Sequence, residues 1–84
     1  MYRVYLERAA EADLRELPAR EFERVVAKIR SLAEDPRPPG CRKIVGSRSA
    51  WRVRSGSYRI IYEINDAERS ATVMRVRHRH LAYR

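Results

Sequence analysis

The last twelve residues, VMRVRHRHLAYR, place arginine at every second position, Arg75, Arg77 and Arg79, with His78, His80 and Tyr83 among them. Arginine keeps its proton at any ordinary pH, so it is no base, but its planar fork binds phosphate and stabilises negative charge as it develops. Such a stripe suits cleavage of RNA by its own 2′-OH, a reaction with three demands. A proton must leave the hydroxyl, the phosphorane must be stabilised, and the departing 5′ oxygen must be protonated. Metal-dependent nucleases need clustered carboxylates. Residues 36 to 84 hold only Glu63, Asp66 and Glu68, so the chemistry indicated uses no metal and no other cofactor.

Proton transfer is the harder requirement. An unperturbed tyrosine titrates near 10, but surrounding cations favour the phenolate and draw its pKa towards working pH, which makes Tyr83 a candidate. His80 is the alternative, with an unperturbed value near 6.5. It lies beyond the regular strand and is free to turn towards the arginines. Strand parity sends His78 inward, where a packed or capping role is expected.

Of the 19 cations, 17 are arginine, and the net charge of +8 is unevenly divided. Residues 1 to 35 carry a net −1 and residues 36 to 84 a net +9. A polyanionic partner follows from this concentration of charge. The bland alternative is a set of arginines that reach into water and each cost little.

The elements that would position these groups are legible in the pattern. YRVYL alternates, with Tyr2, Val4 and Leu6 on one side, as a short strand does. In ERAAEADLREL the residues Ala10, Leu14 and Leu17 form one helical stripe, with a weak start because Glu7 is a poor N-cap. Pro18 separates this helix from a second, whose apolar set is Phe22, Val25, Val26, Ile29, Leu32 and Ala33. DPRPPG ends the second helix, and the apolar period beyond it changes from 3.6 to 2. Strands are predicted near RKIVG, WRVRS, YRIIYEI and ATVMRVRH, joined by turns short enough to demand antiparallel neighbours.

Parity then divides the side chains. Trp51, Val53, Tyr58, Ile60, Tyr62, Ile64, Met74 and Val76 fall on one face for the helices to cover. Arg52, Arg54, Arg59, Arg75, Arg77 and Arg79 fall on the other, as a groove for a phosphodiester backbone. The chain is too short for two cores, so residues 1–84 are expected to form one domain. Cys41 is the sole cysteine, which excludes an internal disulfide and is too little for a zinc site. A reducing, cytoplasmic setting is expected, without membrane association, because nothing resembles a signal segment or a span.

The motifs WRVRSGSYRIIYEI and VMRVRHRHLAYR together resemble the RelE/ParE toxin superfamily, and LPAREFERVVAKIRSLAEDPRPPGCRKIVG is similar to that group's second helix, proline loop and following strand. The resemblance implies an α+β fold, with an N-terminal strand and helical hairpin packed on a mainly antiparallel sheet of four or five strands. It also implies a toxin of a toxin–antitoxin pair, of the RelE type that enters the ribosomal A site and cuts mRNA there without metal. By position, Arg59 would hold the scissile phosphate, Arg79 would stabilise charge or assist the leaving group, and Tyr83 would orient or deprotonate the 2′-OH. Arg52 and Arg54 correspond to basic residues facing the RNA, with Lys43, Arg75 and Arg77 added to that set. The partner implied is a cognate antitoxin, in a hetero-oligomer with the toxin. The other branch, ParE-like toxins, blocks DNA gyrase by binding and cuts nothing. Two departures stand out: Arg77 replaces the usual glycine before the histidine, and Ser57 replaces a frequent acid before the Tyr-Arg pair.

Overall fold

The computed structural model describes residues 1–80, so Tyr83 lies outside the described residues. The element order is β1 (Arg3–Leu6), α1 (Arg8–Arg15), α2 (Ala19–Ser31), β2 (Arg42–Lys43), β3 (Ala50–Ser55), β4 (Tyr58–Asn65) and β5 (Ser70–His78). The five strands form one sheet in the order β1-β5-β4-β3-β2. β2 to β5 run antiparallel as a meander, and β1 returns alongside β5 in parallel. This is the predicted α+β architecture. Among the described residues, no helix is long and apolar enough to cross a membrane.

The helical hairpin covers one face of the sheet. Ala10 and Leu14 of α1, and Val25, Ile29 and Leu32 at the α2 end, meet Val53, Ile60, Tyr62, Ile64 and Val76 in a single core. The periodicity therefore marks the buried stripe, although Phe22 at the start of α2 remains 40% exposed because packing begins one turn later, at Val25. Glu7 makes no side-chain cap to α1, in keeping with its type.

One departure from simple alternation matters. Ile61 pairs with Arg75 but Tyr62 pairs with Val73, so Met74 is an extra residue in β5, a β-bulge. Val73 and Ala71 consequently fill the core positions that uninterrupted parity assigned to Met74 and its neighbours. A strand of period two cannot pass through a bulge without exchanging its faces.

The hairpin between β3 and β4 has a two-residue loop, Gly56 and Ser57, closed by the Ser55 and Tyr58 pair. Gly56 has φ 62, the left-handed value that the first position of a type II′ turn requires. A Cβ there would also come within 3.1 Å of Arg24 Nη1. Gly56→Ala should lower stability by about 1–2 kcal/mol, read as a shifted urea midpoint with an unchanged slope.

The proline loop after α2 is tied to the far end of the sheet. Tyr62 donates its hydroxyl to the Pro36 carbonyl at 2.7 Å. Arg37 lies over the Trp51 ring and binds both carboxylate oxygens of Asp66, at 3.2 and 2.8 Å, and Tyr2 donates to the same carboxylate. The Arg37 bond, then the Tyr2 bond, push the Asp66 pKa down to about 2 against a small opposing effect of burial. A depressed carboxylate contributes stability above its unfolded value near 3.9 and loses it as pH falls through the folded value. Asp66→Asn should therefore be less stable than the parent at pH 6, with the difference fading between pH 4 and 2 in acid denaturation followed by circular dichroism.

Candidate nucleic-acid interface

The face of the sheet opposite the helices carries the arginines. Directly opposed residues in antiparallel strands share a face with Cβ atoms roughly 4.5–5.5 Å apart. Arg54 opposes Arg59, and Arg59 opposes Arg77, so three strands build a continuous row of guanidinium stems. Arg52 adds to the row one pair further along β3, and Arg42 of β2 lies opposite Arg52. Arg79 donates its backbone N–H to the Ser57 carbonyl at 2.8 Å, which folds the chain just beyond β5 against the β3–β4 turn.

Arg59 is the centre of this arrangement. Burial first, and then the charges of Arg52, Arg54 and Arg79, disfavour its protonated form and lower its pKa. A row of like charges on one face attracts a polyanion. The guanidinium fork is suited to phosphate.

The opposite end of the same face has the other sign. A cleft of about 630 Å³ there is bordered by Glu63, Asp66 and Glu68, all three acids of the second half of the chain. The open face thus runs from acidic to basic, and a polyanion would meet attraction only at the Arg59 end.

Several expected members of the set are elsewhere. Arg75 opposes Ile61, but its Nε and Nη2 bind the two carboxylate oxygens of Asp13 on α1, at 2.9 and 3.1 Å. It is a structural cation rather than part of the arginine row. Lys43 opposes Trp51 and so takes the helix-covered face, which leaves Arg42 as the open-face cation of β2. His78 opposes Tyr58 and meets its ring edge to face, with centroids 5.3 Å apart, as its inward parity predicts. The His80 ring stacks on His78 at 5.0 Å, which directs it to that partner and not to the arginine row. Among the described residues, no three His, Cys, Asp or Glu side chains come together as a metal site requires.

Asp13 was missed although its position signals a role. It lies on the same stripe as Ala10, Leu14 and Leu17, and an acid on a core-facing stripe needs a partner. The carboxylate also accepts the Val76 N–H at 2.9 Å, so one side chain anchors α1 to β5 just past the bulge. Arg42 was missed because a two-residue edge strand is too short to reveal its parity.

A family model described as the ParE toxin of the type II toxin-antitoxin system, parDE, matches residues 4–83. The chain belongs to this family, within the RelE/ParE superfamily. Solved structures agree. The chain is similar to RelE of the archaeal RelE–RelB complex from Pyrococcus horikoshii, with 26% identity and a TM-score of 0.83 over 96% of this chain and 98% of that one. It is also similar to the toxin–antitoxin complex RelBE2 of Mycobacterium tuberculosis, with 29% identity and a TM-score of 0.82 over 93% of this chain and 98% of that one. The isolated Escherichia coli RelE toxin, at 22% identity, shares the fold with a TM-score of 0.79 over 93% of this chain and 84% of that one. No curated protein matches the chain. The family assignment makes this a toxin of a type II system, and its relatives of known structure include toxins bound to their antitoxins.

Proposed function

We propose that this toxin is a metal-independent endoribonuclease that cuts mRNA on the ribosome, at the A site, and so inhibits translation. The observation that carries the reading is the row that Arg54, Arg59 and Arg77 build across three adjacent strands, with Arg52 beside it on the same open face. In this reading the ribose 2′-OH attacks the adjacent phosphorus, the P–O5′ bond breaks, and a cyclic phosphate and a 5′-hydroxyl result. Arg59 holds the scissile phosphate. Arg79 stabilises the phosphorane and the departing oxygen, and Arg52, Arg54 and Arg77 take neighbouring phosphates. Tyr83 is assigned to the 2′-OH by resemblance alone. The partner is a cognate antitoxin, a short acidic chain that orders as it covers the toxin, and the setting is the cytoplasm.

A second reading is inhibition of DNA gyrase by binding alone. It is favoured by the family model itself and by the stacking of His80 on His78, which leaves neither histidine at the arginine row. The deciding experiment maps transcript ends by primer extension after brief induction, beside a plasmid supercoiling assay. Cuts in register with codons support the nuclease; relaxed or linearised plasmid with intact transcripts would overturn it.

A further inference from the structure

The chain just beyond β5 turns around the His78 ring. His78 opposes Tyr58, whose ring packs against the core, so both take the helix side of the sheet. The Tyr58 ring meets that of His78 edge to face at 87°, and the His80 ring stacks on it at 28°, with centroids 5.3 and 5.0 Å away. A ring packed from two directions has little torsional freedom, which fixes where its nitrogens point. Nδ1 points at the backbone of His80 and accepts its N–H at 3.3 Å. A neutral imidazole that accepts at Nδ1 carries its proton on Nε2, so the geometry selects one of the two tautomers.

What that turn carries is Arg79. Chain ends fray unless they are tied down. Here Arg79 donates its N–H to the Ser57 carbonyl at 2.8 Å, one pair beyond Tyr58 and His78. Continued pairing keeps the alternation, so the Arg79 side chain follows Arg77 onto the open side, where its charge bears on Arg59. Two backbone bonds therefore bracket this residue, one to Ser57 from Arg79 itself and one to His78 from the residue after it. The first fixes its distance from the β3–β4 turn, and the second fixes the direction in which the chain leaves it.

We infer that His78 is a positioning residue: its Nδ1, by accepting the His80 N–H, holds the backbone of Arg79 in register beside the arginine row. The His78 ring lies on the other side of the sheet from that row, so it acts through Arg79. The consequence for cleavage rests on the endoribonuclease reading, and the consequence for the Arg79 backbone does not. Phenylalanine at this position would keep a ring against Tyr58 and lose the acceptor. Asparagine would lose the ring and keep an acceptor oxygen where Nδ1 stands. The two substitutions thus separate acceptor from packing.

Amide hydrogen exchange of the isotope-labelled full chain, followed by NMR, tests the backbone. In His78→Phe the Arg79 amide should exchange roughly three- to tenfold faster than in the parent, the effect of losing one hydrogen bond. In His78→Asn it should stay near the parental rate. A long-range ¹H–¹⁵N spectrum of the parent at about pH 8, where an unperturbed imidazole is neutral, should place the His78 proton on Nε2, and it requires no variant to fold. Cleavage on mRNA-programmed ribosomes tests the consequence. His78→Phe should lose roughly 10- to 100-fold in kcat with KM within about twofold, as displacement of a charge-stabilising group does, and His78→Asn should recover most of that loss. An unchanged Arg79 exchange rate or parental cleavage in His78→Phe, equal losses in the two variants, or a proton on Nδ1 would overturn the assignment. A parent that cuts no RNA while Arg79 exchange responds as described would sink the nuclease reading and leave the His78 assignment standing.

Discussion

Arg59→Ala is expected to slow single-turnover cleavage on mRNA-programmed ribosomes by roughly 10²- to 10³-fold, the loss that follows removal of one group stabilising charge in a transition state. The melting temperature should stay within a few degrees of the parent, because Arg59 lies on the open face and outside the core. Loss of activity with retention of fold separates a site residue from a packing residue. Arg59→Lys retains the charge but not the fork, and should recover only part of the rate. The double variant with Arg79→Ala should lose less than the product of the two single losses, since both groups act on one phosphate. Each phosphate contact removed should also reduce the slope of log affinity against log salt by about 1. An Arg59→Ala protein that cleaves at the parental rate would remove the arginine row from the mechanism.

The second large effect concerns stability. Asp13→Ala should cost about 2–3 kcal/mol in urea unfolding, because it strips the bidentate partner from Arg75 and the acceptor from the partly buried Val76 N–H. Asp13→Asn should cost less, since an amide oxygen can still accept the Val76 N–H. Burial pushes the Asp13 carboxyl upward, but the Arg75 and Val76 hydrogen bonds, with the charges of Arg75 and Arg77, hold it below the usual range. Because the folded value is depressed, the stabilisation is complete above about pH 4 and disappears as pH falls through that lower value. Asp13→Asn should accordingly flatten the acid limb of the stability curve. An unchanged acid limb would mean that the carboxylate is no more strongly held in the folded protein than in the unfolded one.

Arg75 shows how the candidate site divides into what can be read from the chain and what cannot. Its spacing in the stripe is the same as that of Arg77 and Arg79, yet its partner is an acid 62 residues away in sequence. No local pattern carries that information. Met74 is a second case, since one extra residue in β5 exchanged the faces of the residues before it. Short edge strands are a third: Arg42 and Lys43 are adjacent cations, and only their pairing with β3 decides which reaches the open face.

The sequence by itself determined the two helices, the boundary at the proline loop, the meander and the concentration of positive charge, because each rests on periodicity, turn chemistry or composition within a short window. It also singled out Arg52, Arg54 and Arg59, whose uninterrupted alternation in β3 and β4 survives folding intact. Tertiary structure alone decided that α1 would draw Arg75 away through Asp13, that β1 would pair parallel with β5, and that His80 would stack on His78. The physical reason is common to all three. Charge capture, strand order and ring stacking depend on which distant groups arrive at the same place, and that is fixed by how the hairpin seats on the sheet.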